Sequence, residues 1–327
     1  MACGASHASI RAMPTQTEPD NRPRTIIAGC DGDDRGRQAV VFGRTLAGLL
    51  GDRLLIVAVY PHPAVPFPPP LVARGDERRR ADQAIRAVRD ELAPEARALA
   101  VPGFSPAQAL CEVAERERAS AIVVGSRHPS RRRMGDADHA LQVLRSASAP
   151  VFVVPEDRPA PAALQRIVAG FDGSSSAREA IAVAARLAQA AGAHLTVLSA
   201  LPPEVEAWWL ASPASLDAEI LEHHRAAREA ELRQAAGEVL REHPGVDASL
   251  VVEHGHPVPR LLAAGEEADL LVVGSRRWGA IGRLVLGTVS EAVVRESPCP
   301  TLVVPVARGS ASAAAKPGAG VAAGRAD

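Results

Sequence analysis

The chain has 327 residues, 47% of them apolar but only 3% aromatic, so its interior must be built from Ala, Val, Leu and Ile, and its length suits two cores better than one. With 37 Lys and Arg against 38 Asp and Glu, the net charge of −1 offers nothing to recruit nucleic acid or a membrane surface. The four cysteines, Cys3, Cys30, Cys111 and Cys299, show no CxxC spacing, which fits a reduced cytoplasmic setting. No run is apolar enough to span a membrane, and residues 1–23 lack the apolar stretch of a secretory signal and read as a disordered segment.

The first predicted element is a strand from Thr25 that runs into the acidic turn Asp31-Gly32. Strands and helices then alternate to Ala121-Ile-Val-Val-Gly125-Ser126-Arg127 and the closing strand Pro150-Val-Phe-Val-Val-Pro155. Residues 156–163 form a Pro/Ala linker. The whole order then recurs. A strand over 166–171 meets Asp172-Gly173, and Ser174, Ser175 and Ser176 offer N-cap chemistry to a helix that Gly192 should stop. A strand at 194–200, a helix near 215–242, a strand at 248–253, a helix near 258–267 and a strand at 270–274 follow. A short helix near 289–296 leads to the last strand, 301–304, and the Ala/Gly-rich residues 307–327 read as a disordered tail. The halves, 24–155 and 164–306, thus repeat one unit. Alternating apolar strands and helices predict an α/β fold: two tandem Rossmann-like domains, each a five-stranded parallel sheet covered by helices on both faces.

Ligands of such sheets sit at the carboxyl ends of the strands. In the second half those positions are Asp172, Ala200 and the run from Gly274 to Ser290. Gly287-Thr288 stands where a helix begins, so free N–H groups gather there and favour an anion. Gly287 is expected to supply positive-φ freedom, and Thr288 or Ser290 a hydroxyl. A plain strand-to-helix connection with a Ser/Thr cap would read the same way, and Asp172 could equally be a turn residue capping the next helix.

Taken together, these residues resemble the universal stress protein family. The resemblance is carried by Asp172-Gly173-Ser174, His254-Gly255-His256-Pro257, Val272-Val273-Gly274-Ser275-Arg276, Leu286-Gly287-Thr288-Val289-Ser290 and Pro298-Cys299-Pro300 through Pro305. It implies ATP, with or without Mg, bound through Gly-x2-Gly-x9-Gly-Ser/Thr. Gly274 and Gly287-Thr288 fill the outer places, but Arg277 replaces the middle glycine and would either crowd the triphosphate or pair with it. The resemblance places Asp172 and Ala200 near ribose and base, and Gly274, Arg276, Arg277, Gly287, Thr288, Val289 and Ser290 around the phosphates. In the first half Asp31, Val59 and Gly125 keep their places, but the Gly-Ser/Thr element is missing and Asp136 and Asp138 stand near the phosphate positions. That half is expected to have lost most or all nucleotide binding. The resemblance also implies pairing through last strands, Val151–Val154 with Thr301–Val304, as an intrachain pseudo-dimer; both strands are short and apolar, which favours it, and the surface is also compatible with a homodimer.

Other signals count for less. His254 and His256 have no third metal ligand at useful spacing, Cys30 and Cys299 read as buried fillers, and Trp208-Trp209 reads as loop packing or a lid. No paired acid and base emerges. The expectation is an ATP-binding stress-response regulator without dedicated catalysis, metal site or nucleic-acid partner. A nucleotide-free interaction module of the same fold is the alternative, and a slow ATPase a more distant one.

Overall fold

The computed structural model describes residues 23–61, 73–127, 138–202, 218–275 and 286–305. Arg276, Arg277, Trp208, Trp209, Asp136, Cys3 and both terminal segments lie outside them. The first half contains β1 (Thr25–Gly29), α1 (Asp34–Leu50), β2 (Arg53–Pro61), α2 (Ala73–Leu92), β3 (Arg97–Gly103), α3 (Pro106–Glu117), β4 (Ala121–Ser126), α4 (His139–Ser146) and β5 (Val151–Pro155). The second contains β6 (Arg166–Gly170), α5 (Ser175–Ala191), β7 (His194–Leu201), α6 (Ala218–Arg241), β8 (Ala248–His254), α7 (Pro257–Glu267), β9 (Leu270–Gly274), α8 (Thr288–Glu296) and β10 (Thr301–Val304).

Local chemistry sets these limits. The Ser174 hydroxyl accepts from the Ala177 N–H at 3.2 Å and starts α5. Gly192 stops it in the left-handed conformation, φ 63°. Asp33 starts α1 in the same way, its carboxylate accepting from the Gly36 N–H at 2.8 Å. Arg118 ends α3 at φ 50°, in a conformation that usually selects glycine.

Each half forms five parallel strands, and the two halves join as one ten-stranded sheet in the order β3-β2-β1-β4-β5-β10-β9-β6-β7-β8. The junction is the only antiparallel pairing among the described strands, Val153 opposite Thr301, Phe152 opposite Leu302 and Val151 opposite Val303. The expected intrachain pairing of last strands is therefore present. Successive strand residues point to opposite faces, and both faces are buried: Ile26 and Ala28 pack beneath α1 while Ile27 packs with α3 and α4. Helices α1, α2, α5 and α6 cover one face, and α3, α4, α7 and α8 the other. The core across the junction is continuous, and on its first-half side Phe152, opposite Leu302, stands edge-on to Phe42 at 5.7 Å between ring centroids.

The Pro/Ala linker lies against the fold. The Ala160 N–H donates to the Gln38 side chain at 2.8 Å, and Arg158 donates to the Glu266 carbonyl at 3.1 Å. It therefore crosses from α1 to α7 as an anchored strap rather than a free tether.

Candidate functional site

A cavity of about 230 Å³ opens at the carboxyl ends of β6, β7 and β9. Its wall brings together Asp172, Ala200, Gly274, Gly287, Val289 and Ser290, six of the residues expected there. Thr288 is exposed at the first turn of α8 and does not border it. Sequence reasoning missed the polar Ser176 and the apolar Phe171, Leu198, Pro202, Pro257 and Leu261, which also line the cavity. The signal for Leu198 was available, because strand residues two apart share a face and Ala200 had been singled out.

Asp172 lies in a turn, its carboxylate accepting from the Ser174 N–H at 2.9 Å. Gly173 holds φ 85°, and the Arg228 guanidinium reaches from α6 to the Asp172 carbonyl at 3.3 Å. The turn reading and the ligand reading of Asp172 are thus compatible, since the side chain caps the turn and still borders the cavity. Asp172 is also the only titratable side chain among the described lining residues.

Two glycines behave differently from expectation. Gly287 is the N-cap of α8 at φ −70° and ψ 153°, an extended conformation open to any residue. The expected positive φ is absent, so what glycine contributes there is the lack of a side chain. No side chain caps α8 either, which leaves its first N–H groups to the cavity. At Gly274 a Cβ would stand 2.5 Å from the Ser176 carbonyl oxygen and 3.0 Å from the Ala177 nitrogen. Gly274 lets the first turn of α5 lie directly on the end of β9, a packing role independent of any ligand. Gly125 has the same role in the first half, where its Cβ would strike the Arg35 carbonyl. The Ser290 hydroxyl donates to the Gly274 carbonyl at 2.8 Å and ties α8 to the same strand end.

The equivalent cavity of the first half is smaller, about 160 Å³, and is bordered by Asp31, Val59, Gly125, Arg35 and His139 among others. Here the fold satisfies itself. Asp138 caps α4, its carboxylate accepting from the Leu141 N–H at 3.2 Å where the second half has uncapped Gly287. Arg35, on the first turn of α1 like Ser176 on α5, donates through Nε to Asp33 at 2.5 Å and lies 3.9 Å from Asp31 and 4.0 Å from Glu156. Partial burial, and next the hydrogen bond and charge of Asp33, push the Asp31 carboxyl up. Asp33 moves down although burial opposes it, because Asp31, the Gly36 N–H and Arg35 all hydrogen-bond to it. Among the described residues bordering this cavity, the Arg35 guanidinium that could attract an anion is already paired with carboxylates of the chain.

The two sites are linked across the junction. Arg145 on α4 reaches Glu291 on α8 at 3.4 Å, Glu291 accepts from Arg295 at 2.7 Å, and Arg295 lies 3.7 Å from Asp138. Cys30, Cys111 and Cys299 are free and buried, and burial pushes each thiol up to about 11, as inert fillers require. Among the described residues no cluster of three His, Cys, Asp or Glu could hold a metal ion, and no helix is long and apolar enough to cross a membrane.

Comparison with known proteins agrees with the repeat. The model of the universal stress protein family matches residues 23–155 and again 163–305. A universal stress protein of Thermus aquaticus is 41% identical over 140 residues, covering 42% of this chain and 96% of the relative. One of Mycobacterium tuberculosis is 31% identical over 159 residues, covering 42% of this chain and 47% of the relative, about half its length. Among solved structures, a universal stress protein from Archaeoglobus fulgidus aligns with a TM-score of 0.64 at 19% identity, over 86% of this chain and 98% of that one. That likeness concerns the fold.

Proposed function

Since the chain belongs to the universal stress protein family, we propose that its second half binds ATP and that through this site the protein acts as a nucleotide-dependent regulator in the cytoplasm, with no dedicated catalysis on the nucleotide. The observation that carries this reading is the cavity at the carboxyl ends of β6, β7 and β9, bordered by Asp172 on one side and by the uncapped start of α8 on the other. A carboxylate suits ribose hydroxyls or a base amino group, and free helix N–H groups suit phosphate. Asp172 and the Ala200 backbone would hold the nucleoside, and the N–H groups at Gly287, Thr288 and Val289 the phosphates. Ser290 would contribute through its N–H, because its hydroxyl hydrogen is committed to Gly274. Arg276 and Arg277 would add charge from the connecting segment, and any Mg would arrive on the nucleotide. Among the described lining residues Asp172 is the one titratable side chain, so they supply no acid–base pair to drive hydrolysis.

The first half binds no triphosphate in this reading, because Asp138 caps α4 where the second half leaves helix N–H groups free, and Arg35 is taken up by Asp33, Asp31 and Glu156. Calorimetric titration of the full chain with ATP should therefore give one site per chain. Two sites would refute the assignment of the first half, and none would refute the proposal. The nucleotide-free reading is favoured by one observation: Gly274, the first glycine of the pattern, is required by helix packing whether or not a ligand binds. Native mass spectrometry of protein purified without added nucleotide separates the two, since retained ATP is expected only in the first.

A further inference from the structure

At the opposite ends of the strands from the cavity, three polar side chains of the second half converge. His194 opens β7, and its Nδ1 lies 2.9 Å from a carboxylate oxygen of Asp247, just before β8. Its Nε2 lies 2.9 Å from the hydroxyl of Ser249 on β8. With Nδ1–H donating to Asp247, Nε2 carries the lone pair and the Ser249 hydroxyl donates to it. That is the order of groups that makes serine a nucleophile: hydroxyl to imidazole, imidazole to carboxylate.

The surrounding backbone adds a fourth component. β8 is the last strand of the sheet. The Leu195 N–H donates to the Asp247 carbonyl at 2.8 Å and the Gly255 N–H to the Leu201 carbonyl at 2.9 Å. This parity turns the N–H of Ser249 toward β7 and that of Leu250 outward, away from any partner strand. A free N–H on the residue after the nucleophile is a donor an oxyanion can use. The fold does not require the arrangement. In the first half the places of His194 and Ser249 are held by Arg53 and Arg97, in the same register.

We propose that Ser249, His194 and Asp247 form a nucleophilic site that hydrolyses carboxylic esters at the open edge of the sheet. Ser249 Oγ attacks the ester carbonyl while His194 Nε2 takes its proton, and the Leu250 N–H faces the oxygen that becomes negative. The carbon–oxygen bond to the alcohol breaks, and the alcohol leaves with the proton from Nε2. Water then attacks the acyl-serine, again giving its proton to Nε2, the bond from the acyl carbon to Oγ breaks, Nε2 returns the proton to Oγ, and the carboxylic acid departs with Ser249 and neutral His194 restored. His194 and Asp247 are 39% and 82% exposed in their side chains, so the site is shallow and takes small acyl groups, and the charge of Asp247 is screened. Asp247 acts mainly by fixing the tautomer of His194.

The test uses the full chain with p-nitrophenyl acetate and with a fluorophosphonate that labels activated serines. The expected result is phosphonylation at Ser249 by peptide mass spectrometry, and a fall in kcat/KM of about tenfold to a hundredfold in Ser249→Ala and His194→Gln, the lower range of general-base catalysis. Asp247→Asn should fall less. Ser249→Cys should keep a nucleophile and accumulate an acylated protein visible as intact mass. Hydrolysis by Ser249→Ala at the wild-type rate, or no label on Ser249 of the wild-type chain, would overturn the proposal and leave His194 as a clasp between β7 and β8. ATP titration is independent of all four substitutions, so failure here leaves the nucleotide reading untouched.

Discussion

Replacing Gly274 by Ala tests whether the end of β9 is a packing surface before it is a binding surface. The new methyl carbon would sit 2.5 Å from the Ser176 carbonyl oxygen, 2.6 Å from its carbon and 3.0 Å from the Ala177 nitrogen. Ordinary contact begins at 3.4 Å, so the first turn of α5 must retreat by about 0.9 Å. The atoms struck are backbone, and no side-chain rotamer relieves them. The retreat pulls the Ser174 cap and Ala177, Ala180 and Ile181 away from a close-packed core. Overpacking of this kind costs about 1–3 kcal/mol. At about 2–4 °C per kcal/mol for a domain of this size, the melting temperature should drop by about 2–12 °C. Differential scanning calorimetry without nucleotide reads the effect directly, and Gly125→Ala should behave alike in the half expected to bind no triphosphate. A Gly274→Ala protein melting within about 1 °C of wild type would show that the clash is absent and that this glycine serves a ligand instead.

At Gly287 the opposite separation is expected. Because its φ is −70°, Val is tolerated by the backbone, so Gly287→Val should melt near wild type while ATP affinity falls by tenfold or more, about 1.4 kcal/mol; equal affinity by calorimetry would refute the placement of phosphate at α8. Phe152 is 3% exposed at the junction and packs on Phe42, so Phe152→Ala should cost about 3–5 kcal/mol in urea unfolding. Glu291 titrates below the ordinary carboxylate range, chiefly through its hydrogen bond from Arg295 and then through the charges of Arg145 and Arg295. A depressed carboxyl stabilises the fold above its unfolded value of about 4.3 and loses that contribution as pH falls through its folded value, so Glu291→Gln should flatten the stability profile below about pH 4.3. The effect is about 0.2–1 kcal/mol, the worth of a partly exposed pair, and should shrink with salt.

Much of the second half was legible because its punctuation is local. Ser174 and Gly192 bracket α5 as read, since capping depends on residues a turn apart. The doubly apolar strands disclosed a covered sheet, and the repeat disclosed its duplication. Pairing of β5 with β10 was implied by the family resemblance, and two short apolar strands in need of a partner agree with it. Roles set by distant neighbours were read less well. Gly274 carries the motif, yet its reason lies in α5, far away in sequence. Gly287 was credited with a backbone conformation that only coordinates reveal. Arg35 could not be seen as an internal counter-ion, because its partner Glu156 arrives from the end of β5. His194 and Ser249 meet only through the register of β7 with β8.

The junction of β5 with β10 has a further consequence for how this molecule behaves when dilute. Two separate copies of such a unit would have to find each other, and their association would weaken as their number per volume fell. Here the second unit is delivered by a strap of a few residues pinned to α1 and α7, so the encounter is intramolecular and its effective concentration is fixed by the covalent connection. The unfolding midpoint should then stay constant across protein concentration, and the central seam should survive at copy numbers where a loose pair would fall apart.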